Sequence, residues 1–152
     1  MDDETTALIA RMKSTPQRLR AAVRRMKGDA LTASRDGGWS VRAIIEHVRA
    51  SDAIMAPRVY QLLVRDRPPL VGFDERAWAA LAARAELPLD AQLAAFAITR
   101  AELCGVLRTL SPADWQRAGM HEERGEIAVI DIARWTASHE DEHVAQVEAA
   151  GR

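Results

Sequence analysis

Cysteine occurs once, at Cys104, so the chain has no internal disulfide framework and its fold must rest on burial alone. Cys104 falls in an apolar helical stretch and is expected to act as a small buried hydrophobe. Aromatic residues are few, with one Tyr, two Phe and four Trp among 152 residues, which argues against a protein built mainly from sheet. No stretch approaches the ~20 consecutive apolar residues that cross a bilayer. The opening MDDETTALIARMK begins acidic and lacks the apolar run of a secretory signal. An excess of one charge is also missing, because 21 basic residues offset 22 acidic ones. Nucleic-acid binders concentrate basic charge on one face. Here the nearest approach, Arg18, Arg20, Arg24, Arg25 and Lys27, reads as a solvated helix face. These absences predict a cytoplasmic protein without a membrane or nucleic-acid partner.

What remains is rich in Ala, Leu, Arg and Glu, a helix-forming set. A chain of this length, read as one domain over residues 1–152, can bury roughly 70% of its unfolded surface. From residue 5 to 26, Leu8, Ile9, Met12, Leu19, Val23 and Met26 recur at helical spacing, with Pro16 marking a kink or restart. A polar loop follows from Gly28 through Gly38. Ser40 is placed to cap a second helix running to about Val64, with a bend expected at Pro57. Its inner stripe is Ile44, His47, Val48, Ser51, Ile54, Met55, Arg58, Val59 and Leu62. Pro68 and Pro69 end that segment. Asp74 caps a short helix carrying Trp78 and Leu81, and Asp90 is expected to cap a longer one. The stripe of the longer helix, Leu93, Phe96, Arg100, Leu103, Leu107 and Leu110, is the seam of a packed bundle helix. Ser111-Pro112 opens one turn carrying Trp115. Residues 117–126 read as a polar loop, and the last helix spans residues 129–149. The expected fold is all-α: a four-helix bundle with one or two extra short helices.

Four histidines are present, His47, His121, His139 and His143. His139 and His143 lie four apart on the apolar side of the last helix, so their rings share a face. His47 lies on the inner stripe of the second helix. Three inward imidazoles are costly to bury separately, and one divalent cation would satisfy all three. His139-Glu140-Asp141-Glu142-His143 also fits H-E-x-x-H, in which Glu140 would be a general base. Peptidases of that kind take a third ligand downstream, and no further histidine follows His143. A metal-free bundle, with the histidines bonded to carboxylates such as Asp52 or Glu140, is the other reading of the same residues.

Taken in order, these segments resemble the DinB-like superfamily of damage-inducible-type helical proteins. Trp39-Ser40-Val41-Arg42-Ala43-Ile44-Ile45-Glu46-His47-Val48 is similar to the start of that family's second helix. Arg117-Ala118-Gly119-Met120-His121-Glu122-Glu123-Arg124-Gly125-Glu126 resembles its loop before the last helix. Trp135-Thr136-Ala137-Ser138-His139-Glu140-Asp141-Glu142-His143-Val144-Ala145-Gln146-Val147 resembles the last helix itself. Asp74-Glu75-Arg76-Ala77-Trp78 and Ser111-Pro112-Ala113-Asp114-Trp115 fall where members carry similar runs. The resemblance implies a right-handed bundle with crossover connectivity, often dimeric, and a metal held by three histidines, which map onto His47, His139 and His143.

Three neutral imidazoles leave the ion's charge intact and a coordination position open. Relatives with this triad include transferases or isomerases that use low-molecular-weight thiols, and proteins labelled hydrolases. Imidazole ligation suits zinc or nickel, with iron a further option. The expectation is a metal-dependent transferase, thiol-dependent or not, or a hydrolase acting on a small molecule. Its rival is a non-catalytic, stress-related bundle whose metal is structural. Secondary catalytic candidates are Glu140, Arg100 and His121. Arg100 would meet an anionic substrate group or pair with a buried carboxylate. Ser51 is a candidate pocket residue, and Trp39 and Trp135 are expected to be core anchors.

Overall fold

The structure, a computed structural model, describes residues 2–26, 28–34 and 38–151. Lys27 of the basic cluster and Gly37 of the expected first loop lie outside them. Helix α1 (Asp3–Val23) is capped by Asp2, whose carboxylate accepts from the Thr5 N–H at 2.8 Å. Pro16 neither ends nor restarts it; the helix forgoes one donor and buries the ring. A 3-10 turn over Gly28–Leu31 precedes α2 (Val41–Val64), which Ser40 caps through the Ala43 N–H, as its sequence predicts. Pro57 likewise sits inside one continuous helix.

Asp74 caps the short α3 (Glu75–Ala83). The next helix, α4 (Leu89–Leu107), starts earlier than expected. Pro88, with extended backbone, occupies the cap position, and Asp90 becomes a first-turn residue whose charge suits the helix N-terminus. Ser111 and Asp114 cap α5 (Pro112–Trp115) reciprocally. The last helix is α6 (Val129–Ala150).

The expected polar loop at residues 117–126 is instead largely sheet. β2 (Ala118–His121) pairs antiparallel with β3 (Gly125–Ala128), and β1 (Pro69–Leu70) adds parallel to β2. Period-2 alternation is hidden in so short a strand, but burial reveals it: Gly119 and His121 face inward and Met120 outward. Gly125 closes the turn at φ 75°, a conformation that favours glycine. Arg117 ties the hairpin to α2, donating to the Leu62 and Arg65 carbonyls at the helix end.

Helices α1 and α2 each pack along both α4 and α6, so α1 stands diagonally opposite α2, and α4 opposite α6. The ion pairs Arg134–Glu4 and Arg18–Glu148 show that α1 runs parallel to α6. Gln92 beside Glu46 and Arg100 beside Asp52 make α2 parallel to α4. The chain therefore crosses the bundle diagonally twice. Between α2 and α4, residues 65–88 carry it back along the bundle, and this return holds β1 and α3. The core divides into two apolar clusters. One includes Leu8, Met12, Val59, Leu103 and Ile132, and the other Leu19, Ile45, Leu93, Phe96 and Val147. A buried polar layer of His47, Ser51, Asp52, Arg100, Thr136 and Glu140 separates them.

Gly119 lets β2 lie against the end of α2. A Cβ there would come within 2.5 Å of the Pro68 carbonyl oxygen and 2.8 Å of a Leu62 methyl. Gly119→Ala is therefore expected to destabilise by about 1–3 kcal/mol through overpacking. Thermal melting checks this, at ~2–4 °C per kcal/mol for a domain of this size.

Candidate metal centre

His47 reaches the polar layer from the inner face of α2, and His139 and His143 from one face of α6. The His47 and His139 Nε2 atoms lie 2.7 Å apart, and those of His139 and His143 3.1 Å apart. One ring nitrogen from each residue lies within 4.8 Å of the other two. Around an ion bonded at ~2.0–2.1 Å in tetrahedral geometry, ligand nitrogens stand about 3.4 Å apart, wider than the 2.7 and 3.1 Å pairs here.

Hydrogen bonding cannot account for the arrangement. A neutral imidazole nitrogen carries either one proton or one lone pair. His139 Nε2, facing two other Nε2 atoms, can therefore complete only one of the two contacts. A cation would use all three lone pairs at once. The rings are also held ready for that role. Burial, with the neighbouring imidazoles adding to it, pushes His47 and His139 down to about 4, which keeps both neutral. His143 Nδ1 meets the Gln146 side-chain oxygen at 3.0 Å, and donation through that bond leaves Nε2 free to face its neighbours.

The remaining predicted residues separate. Glu140 meets Arg100 rather than the imidazoles, and Arg100 also holds Asp52 at 2.7 Å. Arg100 is 1% exposed, so it serves as the partner of buried carboxylates and not as a receptor for a substrate anion. The same pairing occupies the carboxylates that a metal-free reading would assign to the histidines. Burial raises Glu140 to about 7, against the opposing pull of Arg100. His121 is buried at the end of β2, where its Nδ1 accepts from the Glu123 N–H at 3.2 Å. It lies outside the triad but lines a cavity of about 320 Å³ that reaches His139 and Glu140. Ser51 lines it too.

Neither tryptophan is the expected core anchor. Trp39 is 42% exposed and lies over the triad, edge-on to His47 at 4.6 Å and stacked on His143 at 6.1 Å. Trp135 is 39% exposed and walls the 320 Å³ cavity. A second hollow, about 510 Å³ and lined by Trp39, Ile44 and Ala150 among others, opens beside His143. Cys104 is buried as expected, and burial pushes its thiol up, away from reactivity. Sequence reasoning missed Phe73 and Arg124 in the cavity wall. Arg58 was visible on the inner stripe of α2, where a charge seven residues beyond Ser51 was the available signal.

The fold and site define a crossover four-helix bundle with three convergent imidazoles. The model of the DinB superfamily matches residues 11–147, and the chain belongs to that superfamily. It is 30% identical over 140 residues to an Oceanobacillus iheyensis protein named "putative metal-dependent hydrolase", spanning 90% of this chain and 81% of that protein. It is 27% identical over 141 residues to YfiT of Bacillus subtilis, which is named in the same way, spanning 90% of this chain and 79% of YfiT. The solved structure of YfiT matches with a TM-score of 0.89 at 24% identity, over 99% of this chain and 87% of that one. YfiT is described as a four-helix bundle of unusual topology, in keeping with the two diagonal crossings. Among the described residues, no helix is long and apolar enough to cross a membrane.

Two outcomes follow. Arg100→Met leaves two carboxylates without their cation in the buried layer, and breaking a buried pair in this way costs about 3–5 kcal/mol. Urea unfolding measures the loss, and a change under about 1 kcal/mol would mean that the layer is hydrated rather than dry. Acid provides the second. Unfolded imidazoles take up protons near pH 6.5, whereas His47 and His139 in the fold resist until about 4. Chelator-treated protein should lose stability as pH falls from 6.5 to 4. Glu140 acts in the opposite sense, gaining its proton earlier in the fold, but one carboxyl opposes two imidazoles. A urea midpoint that climbs steadily across this window would contradict the neutral triad.

Proposed function

We propose that the chain is a divalent-metal-dependent enzyme acting on a small molecule, with His47, His139 and His143 as the ligands. A transferase that uses a low-molecular-weight thiol is the first reading, and a hydrolase the second. The observation that carries the metal assignment is the double contact at His139 Nε2, which hydrogen bonds cannot satisfy and a cation can. Zinc or nickel is the ion proposed, with iron as a third option, since imidazole donors suit all three. When bound, such an ion supplies Lewis acidity that polarises a substrate oxygen or lowers the pKa of a thiol or water.

The chain's own residues supply orientation and access. Gln146 holds the His143 ring, and Trp39 shields the triad from one side. The cavity is lined by His139 and the hollow by His143, and the two share no lining residue. Transfer from a thiol to an electrophile needs two reactants at one centre, and two approaches suit that reaction. Hydrolysis, the activity for which the relatives are named, requires only one organic reactant. A structural ion would have a fourth protein ligand closing the site. Among the described residues the cluster contains three, which favours a working centre over a staple. A homodimer completes the proposal, with Trp78 and Leu81 exposed on α3.

The test is zinc titration of tag-free, chelator-treated protein, followed by tryptophan fluorescence. One ion per chain and a change in Trp39 emission are expected. Loss of a ligand's supporting partner alone costs about 10–100-fold in affinity, so His139→Ala should exceed about 100-fold. The loaded protein is then screened with thiols paired with electrophiles. Turnover without thiol would favour the hydrolase, and turnover surviving His139→Ala would remove the ion from the mechanism.

A further inference from the structure

The cavity that reaches His139 holds two arginines for which the proposed metal chemistry has no use. Arg58, from the inner face of α2, is only 8% exposed. One of its nitrogens donates to the Val71 carbonyl, another makes a long contact with Met55 Sδ, and the guanidinium lies 5.0 Å over the Phe73 ring. Arg124, exposed at the turn of the β2–β3 hairpin, lies 5.1 Å over the Trp135 ring. Both line the same cavity. Neither makes an ion pair with a carboxylate among the described residues. Glu122, the carboxylate whose charge acts on Arg58, has an oxygen committed to the Gly72 N–H at 2.7 Å. Burial pulls the Arg58 pKa down and repulsion from Arg124 adds to it, with Glu122 opposing both.

A buried guanidinium is normally matched by a carboxylate, because its desolvation is otherwise uncompensated. Arg100 shows the matched case in this same molecule, with two carboxylates. Arg58 has instead a carbonyl, a thioether and an aromatic face, which leaves its charge for something that enters the cavity. We propose that Arg58 and Arg124 form a carboxylate-binding subsite, holding a small organic acid whose apolar body lies against Phe73, Met55 and Trp135. The size of the cavity, about 320 Å³, suits one small molecule. Of the five carboxylates on its lining, Asp52 and Glu140 are paired with Arg100, and Glu75, Glu123 and Glu142 favour a singly charged acid over a phosphate dianion. With its charged end at the arginines, the ligand's other end is directed towards His139. That last point rests on the metal reading, whereas the arginine subsite does not.

Calorimetric titration with benzoate, and with benzamide as its uncharged counterpart, tests the subsite on the intact chain. Benzoate should bind at least tenfold more tightly than benzamide. Arg58→Gln and Arg124→Gln should each weaken benzoate about tenfold or more while leaving benzamide unchanged, with helicity by circular dichroism confirming that each variant folds. Equal binding of the two probes, binding of neither, or benzoate binding untouched in both folded variants would overturn the subsite. Phenyl phosphate binding more tightly than benzoate would overturn the carboxylate assignment. The titrations are run with and without zinc. Arginine-dependent binding in zinc-free protein sustains the subsite even if the triad fails to take a metal. Benzoate that binds only with zinc and ignores both arginines is a ligand of the ion, and the subsite falls.

Discussion

A single guanidinium holds three helices of the bundle in register. Arg100 on α4 bonds Asp52 on α2 and Glu140 on α6, with all three side chains almost wholly buried. Thr99, beside Arg100, donates to the second oxygen of Asp52. The apolar clusters on either side are non-directional and would tolerate some sliding of one helix along another. The ion cluster would not. A shift of one helical turn, about 5.4 Å, would strand charges in a dry layer. Asp52 lies five residues beyond His47, and Glu140 directly follows His139. The contacts that fix the helices therefore also fix the imidazoles, and the convergence at His139 Nε2 follows from the register set by Arg100.

The charge in this layer does not balance. One arginine faces two carboxylates, and His47 and His139 add no positive charge while their pKa values stay near 4. Protonation of Glu140, raised to about 7, relieves the surplus near neutral pH. A cation at the adjacent triad would relieve it without a proton, because nearby positive charge favours the ionised carboxylate. Glu140 also differs from the base of an H-E-x-x-H peptidase. The carboxylate lines the cavity beside His139 but is paired with Arg100, so it is not a free base.

Much of the bundle was legible because long amphipathic helices declare themselves. Ser40 and Asp74 mark true starts, and the His47 and His139/His143 faces read correctly from spacing alone. Errors occurred where local signals compete with packing. Pro16 and Pro57 look like breaks, yet each removes one hydrogen bond from a helix that packing stabilises elsewhere. Asp90 looks like a cap, but Pro88 sets the entry geometry first. The hairpin at residues 117–126 escaped because its strands have four residues each, too short for alternation to register, and because β1 pairs with it from far along the chain. Trp39 and Trp135 misled because a large aromatic is usually buried, whereas here both rings face the site.

The cavity wall shows a division of labour that the connectivity imposes. The triad stands on α2 and α6, rigid elements locked through Arg100. Phe73, His121 and Arg124 come from the segments that carry the chain around the bundle: the return between α2 and α4, and the hairpin before α6. Such connecting segments tolerate substitution better than packed helices do. A diagonal crossover needs long connectors, and here they fold back over the C-terminal half of α2, anchored by Arg117 on its last carbonyls. The topology that makes the bundle unusual thus supplies the wall of the cavity.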